Sequence, residues 1–382
     1  MKILHCCLSC FYIDNYSYQE NILPIMNKID GHEVEIIAST ETYVDNVTLG
    51  YVKPSCYVNK DNIRVNRLAY KKYINRFIST KIRRYNGLLG TIERFDPDII
   101  FLHGLQMLAL KDIVAYKHKH PEVKIYADSH EDYVNSATNL FSKYFLHKLI
   151  YKPVIQKNLS YIEKIFYVGY DAVPFLKEMY GIPDDKLEFL PLGGIIISEE
   201  EQKKQREKLM KEYELPKNAI ICAHSGKMVK EKKTEELLRA FSQIHDDRLR
   251  IFIFGSIPEN RKEIIEPLIK NDDRIYFLGW KNNKEILDIL AGTDLYCQPG
   301  TMSATYQNAL CAGCATMIRP TASYKHMAGD IAIYTDGTEE NITSIFTQIV
   351  ESQDFLLDLK EKSYKLAKEK LDYQKLSRRY LN

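Results

Sequence analysis

Net charge is scarce in this chain. Its 53 Lys and Arg nearly balance 51 Asp and Glu, leaving +2 over 382 residues, so no global field points to nucleic acid as a partner. Long apolar runs are lacking too. No uninterrupted stretch reaches the roughly eighteen residues that a membrane-spanning helix needs. Residues 1–4 lead straight into a strand-like segment, with no charged leader before an apolar core, so the cytoplasm is the expected compartment. What is present is ordinary for a soluble two-domain protein: 45% hydrophobic and 27% charged residues. The eight cysteines include two C-x-x-C pairs, Cys7/Cys10 and Cys311/Cys314. The pairs are too far apart in sequence for a zinc ribbon. Cys6 and Cys7 fall in a core strand and Cys311 in a helix, so reduced, packed thiols are expected, and no metal.

Taken in order, the chain alternates strand and helix. Residues 2–8 read as a buried strand. Ser17 and Glu20 have capping-box spacing for a helix that carries Pro24 and stops at Gly31, and 33–38 is the next strand. Further strands are expected at 98–102, 123–127, 164–168 and 187–190. Pro191-Leu192-Gly193-Gly194 then breaks the pattern. We place domain limits at 1–192 and 193–362, with 363–382 as a C-terminal helix, part of a long helix over 354–380. The second half repeats the alternation at 219–223, 249–254, 274–277, 294–298, 314–318 and 331–334. Such regularity implies mainly parallel sheets with helices on both faces, a doubly wound α/β class.

Some stretches carry chemistry. In 219–241 an apolar strand turns at Ser225-Gly226, meets Lys227, passes Lys230, Lys232 and Lys233, and enters a helix. Thr234 stands as its N-cap and Leu237, Leu238 and Phe241 form one face. A helix start offers backbone N–H groups and partial positive charge, which suits phosphate. In 299–313, Ser303 stands as the cap of a second helix that ends before Gly313. Past a strand end come Asp128-Ser129-His130-Glu131-Asp132, with His103-Gly104 past another, where open α/β sheets hold ligands; a plain capping turn is the alternative. From Arg64 through Arg94 there are nine basic residues and one acid, Glu93. Tyr70, Ile74, Phe77 and Ile78 have the spacing of one helix face there, and Lys72, Arg76 and Arg83 of the opposite face. A second basic, aromatic stretch covers 141–157.

The ordered set resembles family-4 glycosyltransferases. Their Gly-Arg-Leu-x-x-x-Lys-Gly signature is matched by Gly226, Lys227 and Lys232, with Lys227 in the arginine position and Lys233 in that of the last glycine. Gly31-His32-Glu33-Val34, the Tyr-Gly-Ile-Pro before a strand and the Leu-Pro-Leu-Gly junction are also similar. His130 matches a histidine that contacts the donor sugar, and Leu278-Gly279-Trp280 a base-binding turn. The family's first-loop glycine pair is replaced by Asp14-Asn15-Tyr16-Ser17, and its two glutamates by Gly300 and Asn308. The resemblance implies a GT-B fold, two Rossmann-like doubly wound domains facing a central cleft, with 363–382 crossing back onto the first. It implies transfer of a sugar, with retention and without metal or other cofactor, from a nucleotide-sugar to a glycan or lipid-linked acceptor, in cell-surface polysaccharide or glycolipid synthesis. Lys227 and Lys232 would take phosphate together with the Ser303 and Ala304 amides. Gly279 and Trp280 would take the base, Asn308 the ribose, and Gly300 would offer backbone. His130 would meet the sugar, with Asp14, Asn15 and His103 on the acceptor or sugar side. The excess of basic charge from Arg64 through Arg94, which Lys143, Lys148, Lys152 and Lys157 would extend, suits peripheral attachment to an anionic membrane; an ordinary amphipathic helix with its lysines in water is the alternative. Two rivals stay open: a nucleotide-sugar epimerase on the same fold, against which the absent glutamates argue, and a silent binding subunit of a transferase complex, for which they are the motive.

Overall fold

The computed structural model describes residues 1–44 and 48–381. They form two compact units, Met1–Pro191 with Tyr373–Asn382, and Leu192–Asp372.

The first unit contains β1 (Lys2–Cys7), β2 (Glu33–Ser39), β3 (Glu41–Tyr43), β4 (Leu49–Tyr51), β5 (Ser55–Val58), β6 (Arg64–Leu68), β7 (Ile99–His103), β8 (Lys124–Ser129), β9 (Lys164–Tyr167) and β10 (Leu187–Phe189). Eight of them make one sheet in the order β10-β9-β8-β7-β1-β2-β6-β5, while β3 and β4 form a separate ribbon. Every pair in the large sheet is parallel except β5 with β6. The near-continuous apolar runs of β1 and β7 follow from this, since a parallel strand is covered on both faces. The chain reverses its direction of growth between β1 and β7, so a crevice opens at their C-terminal ends.

Sequence patterns and structure part company at several elements. The first helix, Gln19–Ile29, starts at Tyr18, whose side chain makes no capping bond. Ser17 lies outside it. The long C-terminal helix spans Gln353–Lys370 and belongs to the second unit. Just past its end the Gly194 N–H donates to the Leu371 carbonyl at 2.9 Å. The last residues finish the first unit: Tyr380 is fully buried with its ring 4.5 Å from that of Phe101, and Arg378 forks onto Asp30 at 2.6 and 2.5 Å. The stretch from Arg64 to Arg94 is not one amphipathic helix. It is β6 followed by helices Arg76–Ile82 and Leu88–Phe95. Ile74 and Phe77 are 90% and 58% exposed, so the expected apolar face is not buried. Four of the arginines are tied to partners in the same unit instead. Arg67 pairs with Asp14 at 2.9 Å, Arg84 with Asp112 and Arg94 with Glu35 at 2.7 Å, and Arg83 donates to Ser9 and the Gln106 carbonyl at 3.0 Å. Much of the charge read as a membrane-facing surface is therefore spent on internal partners.

The second unit contains β11 (Ile220–Lys227), β12 (Leu249–Ser256), β13 (Ile275–Phe277), β14 (Leu295–Gln298), β15 (Ala315–Ile318) and β16 (Ile333–Tyr334), all parallel, in the order β13-β12-β11-β14-β15-β16. Leu237, Leu238 and Phe241 on helix Thr234–Gln243 are fully buried, as their spacing requires. Each contributes roughly 1.5–3 kcal/mol of apolar burial. The cysteines of this unit are buried thiols: Cys314 donates to the Leu290 carbonyl at 3.2 Å, and the Cys311 sulfur lies against Gly194. Among the described residues no helix is long and apolar enough to cross a membrane.

One contact in the second sheet leaves no choice of residue. Gly255 on β12 sits opposite Gly226 on β11 with φ +133°, and a Cβ there would lie 2.0 Å from the Gly226 carbonyl oxygen. Gly255→Ala should cost roughly 2–4 kcal/mol of stability from strain and overlap. Gly90→Ala should instead stabilise by roughly 0.5–1 kcal/mol, because Gly90 lies in helix Leu88–Phe95 with nothing near its absent side chain. Urea unfolding of the two variants checks the pair; equal effects would contradict the packing described.

Candidate functional site

The candidate residues fall into two groups, one on each unit. In the second unit strand order reverses between β11 and β14, which places a crevice at the ends of these strands. β11 ends at Gly226 and Lys227, and β14 at Gln298, followed by Pro299 and Gly300. Buried polar groups tie the two strand ends together. Gln298 Nε2 donates to the Thr301 carbonyl at 2.6 Å, the Tyr296 hydroxyl to Gln298 Oε1 at 3.0 Å, and the Ser225 hydroxyl lies 2.9 Å from that of Tyr296. With Tyr296 donating onward, Ser225 is the donor in that last bond.

His224 anchors the lysine loop and escaped the sequence reading. It is fully buried. Its Nδ1 lies 2.8 Å from the Cys297 carbonyl, which can only accept, so Nδ1 carries the proton. Nε2, 2.9 Å from the Thr234 hydroxyl, then accepts. Burial lowers its pKa to about 4. Thr234 is therefore the first residue of its helix, bound to His224, and not the expected cap; Lys233 holds the cap position in the left-handed region at φ 60°.

The loop between strand and helix packs directly on the loop after β14. The Thr301 N–H donates to the Glu231 carbonyl at 2.9 Å. A Cβ on Gly300 would lie 2.1 Å from that carbonyl oxygen and 2.7 Å from Lys232 Cα. No side chain fits at Gly300. The Lys232 ammonium donates to the carbonyls of Met302 at 3.0 Å and Thr301 at 3.2 Å. Burial lowers its pKa. An ammonium has three donors, so one remains for a ligand. Lys233 is paired with Glu236 at 2.5 Å, whereas Lys227 is exposed at the tip of β11.

The other residues of this group are placed less simply. Ser303 does not cap the helix, which spans Thr305–Cys311 after Ala304. The Ser303 N–H donates to the Tyr324 hydroxyl at 3.0 Å, and its own hydroxyl accepts from Thr305 N–H at 3.3 Å. Ala304 is exposed beside it. Asn308 is half-buried, its side-chain oxygen against Gly194. The Gly279 carbonyl accepts from Gly255 N–H at 2.8 Å, which brings the turn after β13 to the end of β12, and Trp280 beyond it is 73% exposed.

The first unit holds His103 and His130 around Asp128, at the ends of β7 and β8. His103 and Asp128 are fully buried or nearly so. His103 Nδ1 lies 2.7 Å from Asp128 Oδ2, and Asp128 Oδ1 accepts from Gly104 N–H at 3.0 Å. His103 Nε2 lies 3.1 Å from His5 Nδ1, while His5 Nε2 lies 2.9 Å from Asn27 Oδ1. That oxygen also accepts from the Tyr380 hydroxyl at 2.8 Å, and Asn27 Nδ2 donates to the Ser377 carbonyl at 3.1 Å. The amide is thus held one way round, so His5 donates from Nε2 and accepts at Nδ1. His103 must then donate from both nitrogens, and it is an imidazolium against a carboxylate. Burial works against the charge on His103, but Asp128 raises its pKa to about 9. Burial, with His103 next to it, lowers that of His5 to about 3. Burial likewise opposes the charge on Asp128, yet His103 and His130 hold its carboxyl well below the usual range. The His130 side chain is 40% exposed, with Nε2 3.7 Å from Asp128; its covered part opposes the charge, and that carboxylate raises its pKa.

Glu20, read from its spacing as a capping residue, is instead a charge neighbour of His103 and His130, with its pKa raised by burial. Asp14 lies in a separate cluster, accepting from Tyr57 at 2.6 Å and Arg67 at 2.9 Å. With Asn15, Tyr16 and Tyr43 it lines a cavity of about 350 Å³.

Residues 205–366 match the family model described as Glycosyl transferases group 1. No curated protein matches the chain. Among solved structures, a glycosyltransferase from Rickettsia africae ESF-5 is 16% identical at TM-score 0.70, covering 100% of this chain and 96% of its own. HepE of Anabaena in complex with UDP is 13% identical at TM-score 0.68, with 100% and 98% covered. A sucrose-phosphate synthase from Thermosynechococcus elongatus is 12% identical at TM-score 0.65, with 98% and 96% covered. At such identities the likeness shows the fold, which is GT-B with two Rossmann-like domains.

The histidines predict opposite responses to pH. His224 protonates more readily when unfolded, so its contribution is whole above pH about 6.5 and is lost as pH falls toward 4. It amounts to roughly 3 kcal/mol. His103 contributes fully below about 6.5 and its share is lost as pH rises through 9. Calorimetric melting of His224→Gln and His103→Gln against the parent should show the acid-side loss reduced in the first and the alkaline-side loss in the second. Identical pH profiles for all three proteins would contradict the assignments.

Proposed function

We propose that the protein is a glycosyltransferase, hexosyl-type and retaining, that uses a nucleoside-diphosphate sugar. The observation that carries this reading is Lys232, half-buried at the switch point of a doubly wound sheet and held with one donor to spare, with Lys227 beside it. The match to Glycosyl transferases group 1 over this unit supports it. So does the UDP carried by a structural neighbour, HepE.

The chemistry follows from charge. As the bond from the sugar to the diphosphate breaks, negative charge grows on the leaving phosphate, and fixed cations there lower the barrier. Lys227 and Lys232 supply that charge, so the reaction proceeds without a metal or other cofactor. Gly279 and Trp280 take the base, Asn308 the ribose and the amide of Ala304 a phosphate oxygen. The Ser303 amide joins only if it leaves Tyr324. The first unit takes the acceptor. Asp14 and Asn15 line a tyrosine-rich cavity suited to a sugar ring, and His130 serves the transferred sugar. His103 acts through Asp128: its fixed charge balances the carboxylate that His130 faces. The acceptor is a glycan or a lipid-linked glycan at the cytoplasmic face of a membrane, in polysaccharide or glycolipid synthesis.

Lys232→Ala should weaken UDP binding at least tenfold, about 1.4 kcal/mol, with the melting temperature recorded alongside because Lys232 also braces Met302. Unchanged affinity by calorimetry in both Lys232→Ala and Lys227→Ala would contradict the reading. Asn308→Ala should raise KM for the donor in a folded protein. A panel of nucleotide-sugars, with and without acceptor lipids, completes the test. Nucleotide release that needs acceptor fits a transferase, a changed sugar without release fits an epimerase, and binding without either fits a silent subunit.

A further inference from the structure

One surface of the first unit has no part in the transferase machinery. Residues 141–151 wind as a π-helix, Phe141–Tyr151. Its inner face is fixed: Leu146, His147 and Tyr151 are buried, with His147 Nδ1 2.6 Å from the Tyr180 hydroxyl. In a helix with i→i+5 bonding, residues four and five apart share a side. Leu140, Phe141, Phe145 and Leu149 do so, and they are 75%, 54%, 47% and 67% exposed. The Phe141 and Phe145 rings stack at 5.1 Å. Isolated apolar side chains on a surface need no explanation, but a run of large ones on a firmly seated helix marks a binding face.

The charge around the face selects the partner. From Tyr133 through Ile162 there is no Asp or Glu, while Lys143, Lys148, Lys152 and Lys157 fall in the same stretch. The Lys148 ammonium lies 4.8 Å from the Tyr144 ring centroid, and that of Lys143 5.8 Å from the Tyr133 ring. Both ammonium groups thus lie over aromatic rings of the same stretch. A protein interface usually has a rim of mixed polarity. Aromatic and aliphatic residues interleaved with lysines, with the Glu178 carboxylate bonded to Tyr133 at the edge, fit an anionic lipid leaflet. Helix Arg76–Ile82 is bonded to this one, since the Tyr151 hydroxyl donates to the Lys81 carbonyl. Phe77 on it, and Ile74 just before it, add exposed apolar surface.

We propose that Leu140, Phe141, Phe145 and Leu149 form a docking face for an anionic bilayer, entering the headgroup layer while Lys143, Lys148 and Lys152 meet lipid phosphates. This rests on the reading of a membrane-presented acceptor and moves the contact from the arginine-rich stretch to the π-helix. The test is co-sedimentation of the full chain with vesicles of phosphatidylcholine, with and without phosphatidylglycerol, at low and high salt. It uses the parent, a Phe141→Ser/Phe145→Ser variant and a Lys143→Gln/Lys148→Gln variant. The parent should pellet with anionic vesicles, less so at high salt, and each double variant should bind at least about tenfold more weakly. Melting temperature and UDP affinity should be unchanged in both. A parent that does not pellet, or variants that bind like the parent, would overturn the proposal. So would sedimentation velocity showing that the face joins two copies of this chain and that the Phe variant only separates them. Intact UDP affinity in any of these outcomes leaves donor binding standing, so the two readings fail separately.

Discussion

The backbone of Gly300 lies so close to the lysine loop that a methyl group there would come within 2.1 Å of the Glu231 carbonyl oxygen. The rest of the candidate donor site follows from this contact. It lets the Thr301 N–H reach Glu231 and puts the Thr301 and Met302 carbonyls under the Lys232 ammonium. The ammonium is thereby held at one place in the crevice, and its confinement lowers the cost of ordering it on a ligand. The same contact explains the missing carboxylate at position 300: with this loop packing there is no volume for a glutamate. The position offers a close backbone path where the related signature offers a side chain.

Buried histidines set the polar interior of both units, and hydrogen-bond logic fixes the state of each. His224 lies between a carbonyl and a hydroxyl, so a neutral ring satisfies both partners. His5 faces an amide oxygen on one side and can accept on the other. His103 then has acceptors on both sides and must be charged, which Asp128 makes affordable in the interior. The C-terminal residues enter this chain of bonds through Ser377 and Tyr380 on Asn27. The return of the chain end to the first unit therefore fixes the orientation of one amide and, through it, two imidazoles.

The alternation of apolar strands and helices, the parallel sheets and the burial of Leu237, Leu238 and Phe241 were legible because each depends on residues near one another in sequence. Helix starts were less legible. Ser17, Ser303 and Thr234 all have capping chemistry, but none caps its helix. A tertiary partner claims one of them, His224 taking the Thr234 hydroxyl, while the Ser303 hydroxyl bonds the Thr305 N–H from one position before the cap. The arginines between Arg64 and Arg94 misled for the same reason. Their partners Asp14, Glu35 and Asp112 lie outside the stretch, so a local charge count sees an unpaired cluster. Position 300 was readable as a departure from a signature but not as a steric requirement, which appears only when two loops are brought together.

The central claim is that fixed lysine charge at the end of β11 holds a diphosphate. Calorimetric titration with UDP and with uridine, both in excess EDTA, tests it most directly. The nucleoside keeps the base and ribose contacts and loses only the phosphates. Two charge-assisted contacts at roughly 1.5–3 kcal/mol each should make UDP at least about a hundredfold tighter than uridine. Equal affinities, or UDP binding that appears only when a divalent cation is restored, would contradict it.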